Sequence, residues 1–479
     1  MKRSVVAAVA CLVLLILNSP AQSQAGYDLE GNRKRLWDFF ADKHAEIGDE
    51  YKKAQLFEDA RQQYLRGLEL DEEHRKCRQG LGQKKKGNQW ADDQPMPERS
   101  PLKPNEKIEA RKKGDQLKDD NYKKCAERAR KQVQAAQQAG DERAARILAN
   151  ELFYYAPDDA AARKLKGHLK SGDDWAPEFA KKWRDEGIKQ VEAAGFGEDV
   201  SGEDEHAKAL NTRFVVRSGK WLTARTSLDD ARCRLMHRNA EAAAARSIEL
   251  LGLEAPFGRH RFTLTHLKSN DEYFAMLEKV LKLEGDELEF AKKLTGRGHN
   301  NPWGFVCRSP SDAGADDMNA NTIAINVMNA HREKRAQPWM DTGFAYLITS
   351  HTLGTTSTTR YTLIKQGTTS SDHKVMPDLT KKSGTPEHLR EAILRAVTYG
   401  RDLPLSRLLV TKVNDMDLEA AAKAFSLMEY WLHTDKENFR KYLLSKEEED
   451  KLAANLETHF GKSLAEIEAA WREWVLANY

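Results

Sequence analysis

The sequence predicts an α+β fold, mainly α, in which a helical N-terminal part precedes a domain built from a small sheet and a helical half. Three observations carry this expectation. Residues 32–194 are rich in Ala, Lys, Arg, Glu and Gln and poor in β-branched residues, which is the composition of surface-rich helices. Short alternating segments, Arg213–Arg217 and Arg261–Thr265 among them, then appear between helical stretches and read as strands. Beyond the centre of the second half only helix-like segments follow, well punctuated by caps and prolines.

Taken in order, residues 1–25 open with Lys2 and Arg3, continue as an apolar run from Val5 to Leu17 and end on the small residues Ser19, Ala21, Ser23 and Ala25. This is the pattern of a secretory signal peptide, too short for a membrane span, with cleavage expected after Ala21, Ser23 or Ala25. Cys11 lies inside the apolar run rather than after it, which argues against lipid attachment. No later stretch is apolar for long enough to cross a membrane, so the mature chain is expected to be exported, periplasmic or extracellular. Loss of Lys2 and Arg3 takes the formal charge from +3 to +1, and 77 basic residues nearly balance 74 acidic ones. That balance argues against nucleic acid or an anionic membrane surface as the partner.

The rest divides into a first helical hairpin (26–92), a proline-rich linker (93–106) and a second helical hairpin (107–194), followed by a glycine-rich boundary (195–211) and a C-terminal domain (212–479). The two hairpins are an internal repeat at a spacing of 85 residues: Glu58-Asp59-Ala60-Arg61 recurs as Arg143-Ala144-Ala145-Arg146, and Gly82–Trp90 (GQKKKGNQW) as Gly167–Trp175 (GHLKSGDDW). Each copy pairs a helix carrying an inward Ala with a second helix and a Gly-to-Trp hairpin. The arrangement resembles a tetratricopeptide-type helical hairpin, in which small residues let helices approach closely. The spacing is far from the ~34 residues of a contiguous array, so two isolated hairpins are expected rather than a solenoid. A groove for a peptide or protein partner and a simple spacer are both open readings. The run Lys84-Lys85-Lys86 is expected in a solvated loop.

In the C-terminal domain a helix is expected from about Ser227 to Leu251, ending near Gly252, and another starting at Ser269-Asn270-Asp271. Trp303–Arg308 and Thr322–Ile325 are further strand candidates. Thr385-Pro386 begins a helix that Gly400 ends, and Ser463 with Glu466 forms a capping box for the last helix. Four cysteines follow the leader, Cys77, Cys125, Cys233 and Cys307. None is close enough to another for a CxxC knuckle. Three disulfide pairings, or four buried free thiols, are compatible with an exported chain.

The stretch Asn321–Ile348, NTIAINVMNAHREKRAQPWMDTGFAYLI, carries the functional argument. Its segment Pro338–Tyr346 (PWMDTGFAY) resembles the PxWLxEGxA segment of gluzincin-like (peptidase MA-like) domains, common in secreted bacterial proteins, with Thr342 where that family places its third zinc ligand. His459–Trp474 resembles the closing FGxSL helix of the same domains, Arg401–Leu408 their LPLxxLL turn, and Glu429–Leu432 their xYLL helix. In such a domain HExxH puts two His on one helix face around a metal, with a Glu that activates the metal-bound water. With Ala324–Ala330 set on that helix, Ile325 and Asn329 replace the two His and Asn326 the Glu. The resemblance therefore implies a zincin-like domain that has lost its ligands and base at Ile325, Asn326, Asn329 and Thr342, with Trp339, Asp341 and Tyr346 lining the former cleft.

Candidates for a rebuilt metal site are His331, Glu333 and His351, but residues two apart do not share a helix face and the set lacks zinc-ligand spacing. There is no GxSxG elbow, phosphate-cradling glycine loop or cysteine-peptidase signature. The Ser/Thr-rich run Thr349–Thr369 is either a loop or a rim around the cleft. The expected function is that of an exported non-catalytic protein that binds a peptide or protein partner, with no cofactor. The alternative is a zinc-dependent peptidase or hydrolase using unconventional ligands.

Overall fold

The structure is a computed structural model, which describes residues 27–479 except 172–173, 203, 258–260, 294–296, 302, 359–383 and 447–450. The expected signal peptide and most of the Ser/Thr-rich run lie outside the described residues. The chain divides into two compact units, Met1–Lys166 and Gly167–Tyr479. No described helix is long and apolar enough to cross a membrane.

The first unit is mainly helical. Helices α1 (Leu29–Lys53) and α2 (Phe57–Leu70) form one antiparallel pair, and α4 (Pro104–Gln138) and α5 (Glu142–Tyr155) another; short helices α3 (Arg75–Gly80) and α6 (Ala160–Leu165) follow. The repeat seen in the sequence is a repeat of structure. From Phe57 to Glu142 is 85 residues, and the same shift carries α3 onto α6, β1 (Gln83–Lys86) onto β3 (His168–Ser171) and β2 (Gln89–Asp92) onto β4 (Asp174–Pro177). The physical markers recur too. Ala60 and Ala145 are both fully buried, and Gly82 and Gly167 both take left-handed backbone where the chain leaves the short helix, a conformation glycine adopts without a Cβ clash. The proline-rich linker has no regular structure from 93 to 103. Arg61 ties it down by donating to the carbonyls of Met96, Pro97 and Glu98.

Lys84, Lys85 and Lys86 are exposed as expected, but they lie in strand β1 rather than a loop, because pairing with Gln89–Ala91 satisfies their backbone. The second hairpin, β3–β4, and helix α7 (Glu178–Ala193) belong to the second unit, where α7 packs on two helices introduced below, Asp230–Leu251 and Pro338–Thr352.

The second unit is built on a six-stranded mixed sheet of order β5-β6-β7-β8-β10-β9. Strands β7 (Leu222–Thr226), β8 (Phe262–His266) and β10 (Gly304–Arg308) run parallel. Strands β5 (Glu198–Asp199), β6 (Val215–Ser218) and β9 (Arg297–Asn301) add antiparallel edges. Parallel neighbours require long crossovers. Helix α9 (Asp230–Leu251), capped by Asp229 and ended by Gly252 in left-handed conformation, supplies the first. The second runs through α10 (Asn270–Ala275), a π-helical turn (Met276–Val280) and α11 (Gly285–Lys293).

Side-chain alternation sorts the two faces of the sheet. Leu222, Ala224, Leu264, Phe305 and Cys307 point into the main core, whereas Val306 packs with Phe214, Leu267, Tyr273 and Met276 on the opposite face, beside α8 (Glu205–Leu210). The main core continues into a helical half made of α12 (Asp312–Ala330), α13 (Pro338–Thr352), α14 (Pro386–Thr398), α15 (Leu405–Leu409), α16 (Leu418–Thr434), α17 (Lys436–Leu443), α18 (Leu452–Phe460) and α19 (Leu464–Asn478). Thr385 and the Ser463/Glu466 box cap α14 and α19.

One strand expectation fails. Thr322–Ile325 lies inside α12, whose start is set ten residues earlier by the Ser311 hydroxyl on the Gly314 N–H. The β-branched residues that suggest a strand are there because the helix is buried nearly all round, and burial overrides their weak intrinsic preference.

Among the described residues the four cysteines are buried free thiols, each pushed up to about 12 by burial.

Candidate functional site

Helices α12 and α13 carry the positions singled out by the motif. Ile325 is buried in the main core, where its side chain offers only packing. The Asn326 amide turns back on its own helix and donates to the Thr322 carbonyl at 2.8 Å. Asn329, one turn on, is the pivot of the segment. Its Nδ2 donates to the Ile325 carbonyl at 3.0 Å and to Asp341 Oδ1 at 2.8 Å, while its Oδ1 accepts from the Ala336 N–H at 2.7 Å. One side chain thus ties the end of α12, the connecting loop and the first turn of α13.

Helix α13 begins with Pro338 at its first position, where the missing N–H costs nothing. Everything from Trp339 to Thr352 is buried. Gly343 explains itself by contact. A Cβ there would stand 2.6 Å from the Ala424 carbonyl oxygen, so α16 crosses α13 too closely for any larger residue. Thr342 sits next to this crossing and is buried. Trp339 is fully buried between Trp431 and Tyr442, with ring centroids at 6.0 and 6.3 Å, and so serves the core. Asp341 is buried, accepts from Asn329 and pairs with Arg335 at 3.6 Å. The Tyr346 hydroxyl donates to the Thr358 carbonyl at 2.9 Å.

The three candidate metal ligands have separate partners. His331 follows the end of α12, is exposed and holds the Ala255 carbonyl through Nε2 at 2.8 Å. Glu333 is exposed and pairs with Lys446 at 2.6 Å, which holds its carboxyl below the usual range. His351 is completely buried at the end of α13; its Nδ1 accepts from Arg246 Nε at 3.1 Å, and burial, then Arg246, Arg390 and Arg184, push its pKa well below 6.5. It is therefore neutral at physiological pH. Among the described residues no three His, Cys, Asp or Glu side chains gather as a metal-binding group, so His331, Glu333 and His351 are not brought together.

Sequence reasoning misses the polar network under these helices. Arg246 is fully buried and pairs with Glu186 at 2.9 Å and Glu249 at 2.8 Å while orienting His351. Arg184 donates to the His351 carbonyl at 2.8 Å, and α7 approaches so closely that a Cβ on Gly187 would lie 2.0 Å from that carbonyl oxygen. Arg390 and the Tyr479 hydroxyl both bind the fully buried Glu429, each at 2.6 Å. Single charges on separate helices carry no mutual signal in one sequence. Only the Gly residues inside helical patterns hint at the close crossings.

Chemically, positions 325, 326 and 329 present a hydrocarbon and two amides already engaged in the helix and its loop. A neutral amide cannot take the proton from an attacking water. No protein-family model matches the chain, and no curated protein or solved structure matches it either.

Proposed function

We propose that this chain is an exported, non-catalytic binding protein whose second unit is a zincin-like domain turned from hydrolysis to recognition of a peptide or protein segment. The observation that carries the reading is the Asn329 lock. The residue set in place of a zinc ligand spends its amide on Ile325, Asp341 and Ala336, and so has a structural task incompatible with holding a metal. Asn326, set in place of the general base, is neutral and turned onto Thr322. Support for the zincin-like layout comes from the mixed sheet beside a central buried helix, followed by a second buried helix and a helical half. Support for tetratricopeptide-like hairpins comes from the paired helices with buried Ala60 and Ala145.

The test is incubation of the mature protein with a mixed-sequence peptide library, with and without added zinc, followed by mass spectrometry of retained and released material. Intact peptides enriched on the protein, with no new termini in either condition, are expected. Zinc-dependent new termini would overturn the reading, and absence of both retention and cleavage would reduce the domain to a spacer.

A further inference from the structure

Three buried nitrogen donors without acceptors and an unpartnered imidazole nitrogen lie on residues linked to one another around one corner of the second unit's sheet. Arg225, on β7, is 6% exposed; its Nε donates to Thr265 Oγ1 at 2.7 Å and its Nη1 to Asp204 at 3.1 Å, while Nη2 is buried with no acceptor. Asp204 also accepts from the backbone N–H groups of His206 and Ala207, which places the His206 ring at the start of α8. That ring lies 5.2 Å from the ring of Trp303, in the turn between β9 and β10. His206 Nδ1 and Trp303 Nε1 are both buried and unpartnered. So is Nδ2 of Asn301, whose Oδ1 accepts from the Trp303 N–H at 3.1 Å and thereby fixes which end of the amide is the donor. Burial, and then Arg225, hold the His206 imidazole below its usual range.

A buried N–H left without an acceptor is costly, and native proteins carry few such groups. In the tautomer that the proposal requires, with the proton of neutral His206 on Nδ1, these four groups all need lone pairs. A single water offers only two lone pairs, too few for all of these groups. A carboxylate or phosphate brings several lone pairs and requires no donor partner. Asp204 already balances the charge of Arg225, so the ligand is held mainly by directed N–H groups, as backbone and side-chain dipoles hold anions elsewhere. We propose that this corner is a binding site for a small oxyanion, held by Arg225, Trp303, Asn301 and His206. It lies on the sheet face opposite the main core and does not depend on the reading of α12 and α13.

The experiment uses the full mature chain with ¹⁵N-labelled tryptophan. The Trp303 indole resonance is assigned with Trp303→Phe, then followed during titration with phosphate or acetate to tens of millimolar, a range that captures weak binding, against chloride at matched ionic strength. A saturable downfield shift with phosphate or acetate, absent with chloride, is expected, as is loss of at least about tenfold in affinity in Arg225→Gln, equal to one charged hydrogen bond. Asn301→Ser, which keeps the Arg225–Asp204 pair, should weaken binding severalfold and covers the case in which Arg225→Gln does not fold. A response to phosphate alone assigns a tetrahedral ligand, and to acetate alone a planar carboxylate. No saturable shift with either anion, an equal response to chloride, or unchanged affinity in Asn301→Ser would overturn the proposal.

Discussion

Replacing Asn329 with alanine removes three hydrogen bonds at once, and their types set the expected loss. The bond to Asp341 has a charged acceptor and is worth about 2 kcal/mol, and the bond from Ala336 N–H about 1 kcal/mol. The third, to Ile325, goes to a helix carbonyl that keeps its backbone environment and adds little. The sum is roughly 3 kcal/mol. Asn329→Asp should be worse than Asn329→Ala above neutral pH, since it sets a second carboxylate where an amide now stands 2.8 Å from Asp341. Urea unfolding followed by tryptophan fluorescence measures this in the relevant unit, because of the ten tryptophans only Trp37 and Trp90 precede Gly167. In a domain of this size the loss corresponds to a fall in Tm on the order of 5 °C. A cost below about 0.5 kcal/mol for Asn329→Ala, the range of ordinary surface substitutions, would refute the claim that this side chain locks the motif segment. It would also remove the main support for a non-catalytic reading.

Other consequences follow from contacts of the same kind. Gly343→Ala pushes a methyl onto the Ala424 carbonyl and should cost about 1–3 kcal/mol in the same assay, as should Gly187→Ala at the His351 carbonyl; near-neutral values would mean that the helices separate freely. His266 is buried, with Arg232 Nε donating to its Nδ1, and its pKa is lowered to about 4, by burial first and Arg232 second. The unfolded chain therefore takes up this proton first as pH falls below about 6.5, and stability drops by about 1.4 kcal/mol per pH unit until about pH 4. His266→Asn should flatten that part of the pH profile. Cys77, Cys125, Cys233 and Cys307 should resist a thiol reagent in the native state and all four should react on unfolding without reductant; fewer than four would reveal disulfides.

Local chemistry made much of this chain readable. Ser463 with Glu466, Thr385 before Pro386 and Gly252 after Leu251 mark helix ends through hydrogen bonds made within a few residues, so the sequence alone places them. The 85-residue repeat is equally legible, because each copy repeats the same element lengths, buried Ala and left-handed Gly and so folds locally in the same way. Strands β8 and β10 show as short runs of strand-forming residues bounded by turns.

Other features arise only when distant segments meet. Thr322–Ile325 looks like a strand in isolation and is helix, since this part of α12 is buried and burial overrides the weak intrinsic preference of its β-branched residues. The neutrality of His351 depends first on its burial and then on Arg246, Arg390 and Arg184, from three other helices. The donor corner at Arg225 likewise joins residues from β7, α8 and the β9–β10 turn. Sequence determined where the elements begin and end, because capping and patterning act over a few residues. Tertiary structure alone decided which polar groups are paired, neutral or left open, because burial and charge act through space between residues with no neighbourhood along the chain.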